Sequence, residues 1–198
     1  VLIDHHQQPD DFAQAVLWDA KASSTCELVY RFIQSFGAEN KIDKDMATCI
    51  YTGIMTDTGS FKFASTTSET HLIAARLMET GIEAAEIHTR VFDNNSPSRM
   101  QLLGRALENM KVMPRQATAY TTLSKAELER HDFKKGDTEG FVNYGLSLKG
   151  IRCAAIFIEN LQEPYIKISF RSVGDFDVNT FARKYFNGGG HNNAAGGK

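Results

Sequence analysis

The chain opens on three apolar residues, Val1-Leu2-Ile3, which give way at once to Asp4-His5-His6. A short apolar run that delivers polar groups at its end is the pattern of a buried parallel strand. Further on, Ser24 and Glu27 stand at capping-box spacing. Leu28, Ile33 and Phe36 then suit one face of an amphipathic helix that stops near Gly37. A second helix is predicted from Lys44 to Met55, with Met46, Ala47, Ile50, Tyr51 and Ile54 on its apolar face. It ends in Thr56-Asp57-Thr58-Gly59, a turn-rich segment before Phe61 and Phe63. Helical spacing returns from His71 to Met78, from Ala84 to Phe92 and from Met100 to Met110. Asp93-Asn94-Asn95-Ser96-Pro97 has the composition of a loop between the last two.

From Gln116 the period changes. Ala117, Ala119 and Thr121 alternate with their neighbours as in a half-buried strand, and strand-like runs follow at Arg152 to Glu159 and Tyr165 to Ser172. The pattern is that of an α/β protein in two parts joined near residues 111 to 116. Residues 1–111 form the first domain, including the helix that leads out of it, and 112–198 the second.

Composition narrows the partners. Twenty-two basic and 24 acidic residues are mixed along the chain, for a net charge of −2. A protein that tracks a long nucleic acid needs an extended basic surface to displace counterions from many phosphates. No basic run is visible, so phosphate recognition is expected to be local. No apolar stretch approaches the roughly 18 residues of a membrane span and no leader pattern opens the chain, which makes the cytoplasm the expected location. Cys26, Cys49 and Cys153 are odd in number, far apart and set in apolar segments, as expected of buried thiols rather than a disulfide frame.

Four segments carry chemistry. Asp4-His5-His6 places two imidazoles and a carboxylate at a strand's end, a donor set suited to a first-row divalent metal, or else a surface cluster. Asp57, flanked by hydroxyls where a helix yields to a glycine turn, is either a metal ligand or a helix-ending Asx turn. In Ile166-Lys167-Ile168-Ser169-Phe170-Arg171-Ser172, alternation puts Ile166, Ile168 and Phe170 on one face and Lys167, Ser169 and Arg171 on the other. Arg171 could there grip a phosphate with two parallel hydrogen bonds, or the face could simply be solvated. Last, Asn187-Gly188-Gly189-Gly190-His191-Asn192-Asn193-Ala194-Ala195-Gly196-Gly197 combines glycines whose N–H groups can converge on an anion with small residues that allow a following helix to approach. The alternative is a flexible tail.

Taken in order, Asp4-His5-His6, "GIMTDTGSF", "ISFRS" and "GGGHNNAAGG" resemble the successive signatures of the DHH phosphoesterases with an appended DHHA1 domain. The resemblance covers nearly the whole chain, and the "DTGSF" form is most similar to the branch that degrades very short oligoribonucleotides and 3′-phosphoadenosine 5′-phosphate. It implies the C-terminal part of a parallel-sheet DHH domain followed by a smaller mixed-sheet α+β DHHA1 domain. It further implies that His5 and Asp57 ligate metal, one of two Mn²⁺ ions with Mg²⁺ as the alternative. His6 would contact the scissile phosphate and Asp4 would orient the histidines. Arg171, Gly189, Gly190 and His191 would hold the distal phosphate or nucleotide across a cleft between domains. The implied reaction is in-line attack on phosphorus by hydroxide held between the metals.

The family also carries an Asp-x-Asp block and another Asp upstream of its Asp-His-His, and this sequence opens at the latter. The expectation is that the 198-residue piece alone turns over little substrate. Asn192 stands where relatives often have a basic residue, which predicts weaker distal phosphate binding. Competing readings are a nucleotide-binding module without catalysis, or a pyrophosphatase, exopolyphosphatase or cyclic-dinucleotide phosphodiesterase on the same metal site. Leu102, Leu103 and Leu107 offer an apolar helix face for the core or for a homodimer.

Overall fold

A computed structural model of the chain describes residues 1–7 and 9–198. It divides into two compact units, Val1–Asn94 and Asn95–Lys198. The first contains β1 (Leu2–Asp4), β2 (Val16–Trp18), α1 (Thr25–Ser35), α2 (Lys44–Asp57), α3 (Ser68–Glu79) and α4 (Ala84–Phe92). β1 and β2 run parallel, with Asp4 opposite Trp18, so the Asp-His-His segment does leave the carboxyl end of a parallel strand. Local chemistry sets the helix starts: Ser24 accepts from the Glu27 N–H, Asp43 from the Met46 N–H, and Thr67 and Thr70 cap each other's backbone. The Glu27 carboxylate does not close the capping box. It is buried, accepting from Ser23, Arg31 and the Thr70 hydroxyl, and so ties α1 to α3.

The core of this unit gathers Tyr30, Ile50, Tyr51, Ile54, Met55, Ile73 and Leu77. The buried stripe of α2 runs through Ala47, Ile50, Tyr51, Ile54 and Met55. Met46, expected on that face, is turned a quarter of the helix away and is 42% exposed. Cys49, expected buried, is exposed for the same reason, while Cys26 and Cys153 are half-buried and all three are free thiols. α1 and α2 touch at Gly53, where a Cβ would lie 2.1 Å from Cys26 Sγ. α2 runs two residues past the predicted Met55, which makes Asp57 its last residue.

The second unit contains α5 (Pro97–Glu108), β3 (Lys111–Met113), β4 (Thr118–Leu123), α6 (Lys125–Arg130), α7 (Asn143–Leu146), β5 (Cys153–Glu159), β6 (Ile166–Ser172), α8 (Val178–Tyr185), β7 (Gly189–His191) and β8 (Ala194–Gly197). Ser96 caps α5 and Pro97 is its first residue, where its missing N–H costs nothing, so the expected loop is shorter by one residue. The strands form one sheet in the order β3-β4-β5-β6-β8-β7, antiparallel except for β4 with β5. One face packs with α5 and α6 through Leu102, Leu103, Ala106, Leu123, Leu128 and Ile156. Leu102 and Leu103 are therefore core, while Leu107 is 43% exposed. The other face packs with α8 through Ile168, Phe170, Val178, Ala182 and Ala195. Ile166, expected beside Ile168 and Phe170, sits at the start of β6 and stays 46% exposed.

The glycine-rich segment is not the loop and following helix that its composition predicts. It is a β-hairpin, β7 to β8, with β8 inserted between β6 and β7. Crowding within that hairpin accounts for its glycines: a Cβ on Gly188 would lie 1.8 Å from the Gly196 carbonyl oxygen, and one on Gly190 2.4 Å from that of Ala194. Among the described residues no helix is long and apolar enough to cross a membrane.

Candidate active site

In the first unit, Asp4, His5 and His6 turn away from the end of β1. His5 is 8% exposed, and its Nδ1 lies 3.2 Å from the Ala22 carbonyl oxygen. A carbonyl can only accept, so Nδ1 carries a proton and donates to it. The His5 Nε2 faces Asp57 Oδ2 at 3.5 Å. His5 and Asp57, 52 positions apart, thus lie side by side, the proximity that the resemblance implies. The Asp57 carboxylate is half-exposed and stands at the carbonyl end of α2, where the helix dipole opposes negative charge and a cation would relieve it. The flanking hydroxyls do not hold it: Thr56 and Thr58 donate to the carbonyls of Thr52 and Ile54 at 2.9 and 2.7 Å.

His6 is more exposed. Asp4 Oδ1 lies 2.7 Å from His6 Nδ1 and 3.1 Å from its backbone N, and the indole N–H of Trp18 donates to the His6 carbonyl at 2.7 Å. Burial alone would raise the Asp4 pKa, but the His6 hydrogen bonds and charge outweigh it, so the carboxyl sits below its ordinary value. The two histidine rings meet edge to face with centroids 4.8 Å apart. Asp4 orients His6 directly, whereas His5 is oriented by Ala22.

Directly after Asp57 the chain makes a left-handed turn: Gly59, Ser60 and Phe61 have φ of 57°, 62° and 63°. Non-glycine residues pay sterically for this region, and such segments persist only where their surroundings hold them. Phe63 lies over Gly59, Phe61 stacks on His71 at 5.4 Å, and Ser60 Oγ is 3.4 Å from His88 Nδ1. His88 Nε2 is in turn 3.3 Å from the Tyr51 hydroxyl. Sequence reasoning missed this group, because a single histidine within the apolar spacing of α4 carries no local signal.

In the second unit, register places Arg171 of β6 beside Ala194 of β8, and Ala194 beside His191 of β7. Cross-strand neighbours point to the same face, so Arg171 and His191 flank a row one small residue wide. Ser169, Gly196 and Gly189 form the adjoining row. The sheet therefore offers a low floor between a guanidinium and an imidazole, spanning about 10 Å at the usual strand spacing. Arg171 is half-buried and Nη1 donates to the Phe170 carbonyl at 2.9 Å. Desolvation lowers its pKa, partly offset by Glu139. The Gly190 N–H, expected to face an anion, donates instead to Asn179 of α8 at 3.0 Å.

Residues 1–54 match the DHH family N-terminal domain and residues 116–198 match the DHHA1 domain. The chain belongs to the DHH family with a DHHA1 domain, and its fold is the mixed α/β arrangement expected of that class. Over 196 residues it is 31% identical to the bifunctional oligoribonuclease and PAP phosphatase NrnA of Bacillus subtilis (strain 168), covering 98% of this chain and 60% of that protein. It is also 31% identical over 196 residues to the NrnA protein of Thermus thermophilus, covering 99% of this chain and 57% of that one. The crystal structure of an exopolyphosphatase-related protein from Bacteroides fragilis matches with a TM-score of 0.93 and 43% identity, covering 100% of this chain and 58% of the other. The chain thus spans about 60% of the length of these two curated relatives.

Proposed function

We propose that the protein is a divalent-metal-dependent phosphoesterase, using Mn²⁺, that hydrolyses short oligoribonucleotides and 3′-phosphoadenosine 5′-phosphate. The observation that carries this reading is the His5–Asp57 pair: an imidazole nitrogen and a carboxylate oxygen 3.5 Å apart, brought together from a strand end and a helix end. The donor set fits Mn²⁺ or Mg²⁺-like ions with mixed imidazole and carboxylate ligands, and the Ala22 carbonyl supplies the outer contact that such a histidine needs. The names of the 31% identical relatives support the substrate class.

His5 and Asp57 would hold the metal. When bound, it would make hydroxide available near neutral pH and neutralise phosphoryl charge. The chain's own residues do the rest. With Nδ1–H donated to Asp4, His6 has Nε2 as its second ring nitrogen, and in its protonated form the ring can donate to a phosphoryl oxygen while Asp4 balances the charge. Arg171 offers its remaining N–H groups to a second phosphate, and His191 borders the same small-residue floor. A net charge of −2 accords with substrates of one to a few nucleotides held at local points.

The test is hydrolysis by the full-length protein with Mn²⁺, using dinucleotides, 3′-phosphoadenosine 5′-phosphate, pyrophosphate and cyclic dinucleotides. His5→Ala is expected to abolish every activity. Arg171→Ala is expected to raise KM for nucleotide substrates, with pyrophosphate less affected. Full turnover in His5→Ala would overturn the reading.

A further inference from the structure

The segment that joins Asp57 to the rest of the first unit is held by contacts that neither the metal nor the substrate roles assign. Three successive residues, Gly59, Ser60 and Phe61, are left-handed, and two of them carry side chains. The Lys62 and Phe63 N–H groups both turn back to the Thr58 carbonyl at 2.9 Å, and the Phe61 N–H to the Thr58 hydroxyl at 3.0 Å. These bonds close the turn on itself, and the Gly59 and Ser60 N–H groups donate to the Thr56 and Met55 carbonyls of α2 at 3.1 and 2.8 Å, which sets the end of that helix. Side chains tie the turn to other elements: Phe61 stacks on the His71 ring at 5.4 Å, and Ser60 meets His88.

His88 belongs to α4 and reaches two places at once. Its Nδ1 meets Ser60 in the turn and its Nε2 meets the Tyr51 hydroxyl within α2, six residues before Asp57. Both partners are hydroxyls, which can donate or accept, so a neutral ring satisfies both with its one donor and one acceptor. Tyr51 is 4% exposed and cannot drift, which makes it the fixed end of the bridge. Phe92, one turn later on α4, packs against the His88 ring at 6.0 Å and limits its rotation.

We infer that His88 is a positioning residue for Asp57: by bridging the body of α2 to the side chain of the left-handed turn, it steadies the segment that follows Asp57 and with it the direction of the Asp57 carboxylate. The inference rests on the reading of Asp57 as a metal ligand. Residues that orient ligands through a second contact usually change metal affinity about 10–100-fold when removed. His88→Ala in the full-length protein is therefore expected to raise the Mn²⁺ dissociation constant by about that factor. Substrate KM, measured at saturating Mn²⁺, should stay unchanged. In the metal-free protein, the amides of residues 59 to 63 should exchange faster with solvent. His88→Asn keeps a polar atom near the position of Nδ1 but loses the one that meets Tyr51, so it should recover only part of either effect.

Ser60→Ala cuts the bridge at its exposed end and serves if His88→Ala does not fold; it should shift Mn²⁺ affinity and exchange in the same direction. Unchanged Mn²⁺ affinity and unchanged exchange in folded His88→Ala and Ser60→Ala would overturn the inference. Asp57→Asn separates the two levels. If it leaves Mn²⁺ binding intact, the metal-ligand reading falls. If it weakens binding while the His88 and Ser60 variants do not, only the positioning role falls.

Discussion

Replacing Gly53 by alanine sets two effects of known size against each other. Alanine in a helix interior is favoured over glycine by about 1 kcal/mol. Against this, the added Cβ would lie 2.1 Å from Cys26 Sγ and 2.9 Å from Cys26 Cβ, where carbon contacts normally relax at about 3.5–4.0 Å. Rotating the thiol relieves the first overlap but not the second, so α1 and α2 must separate. Overpacking of this kind costs about 1–3 kcal/mol, and the larger part of that range exceeds the helix gain. Gly53→Ala is thus expected to lower stability by about 1 kcal/mol. For a unit of this size that is a fall of about 4–8 °C in the unfolding temperature of Val1–Asn94. Adding Cys26→Ala removes the sulfur from the crowded spot, so the double variant should be more stable than the sum of the two singles by at least 1 kcal/mol or so. Thermal unfolding followed by circular dichroism measures both. A stabilising Gly53→Ala, or strict additivity with Cys26→Ala, would refute the close approach of the two helices.

Two further outcomes concern the second unit. Burial would raise the Glu127 pKa, but hydrogen bonds from Asn109, Ser124 and Arg105 outweigh it and hold the carboxyl at about 2, below an ordinary 4.5. A depressed folded-state pKa contributes stability that is complete above the ordinary value and lost as pH falls towards 2, so Glu127→Gln should flatten the urea midpoint of this unit between pH 5 and 2. Gly190 has φ of 150° and no room for a Cβ beside the Ala194 carbonyl, so Gly190→Ala should open the β7–β8 hairpin. The expected signs are faster amide exchange in residues 189 to 197 and a higher KM for nucleotides; protection equal to the parent would count against the hairpin's packing.

The longer helices were legible because each buries a stripe at helical spacing, and α2, α4 and α5 fall within two or three residues of where that stripe places them. The meeting of His5 with Asp57 was legible only through the resemblance to the DHH phosphoesterases, since neither segment's local chemistry points to the other and no spacing rule links them. Three-residue strands such as β2 and β3 are too short to show a period. The glycine hairpin misled because glycines that relieve backbone crowding and glycines that cradle an anion look alike in sequence. His88 could not be found at all from spacing, since its partners Tyr51 and Ser60 lie 37 and 28 positions away on other elements.

The two outermost strands of the six-stranded sheet, β3 and β7, are each three residues long, while β5 and β6 within it are seven. An outer strand leaves one side of its backbone without a ladder partner, and a longer one would invite another polypeptide to bond there. With so little backbone on offer at either rim, growth of this sheet into a continuous ribbon of molecules gains few hydrogen bonds per added chain. The seven-residue strands, which would template such growth best, are enclosed on both sides by their own neighbours.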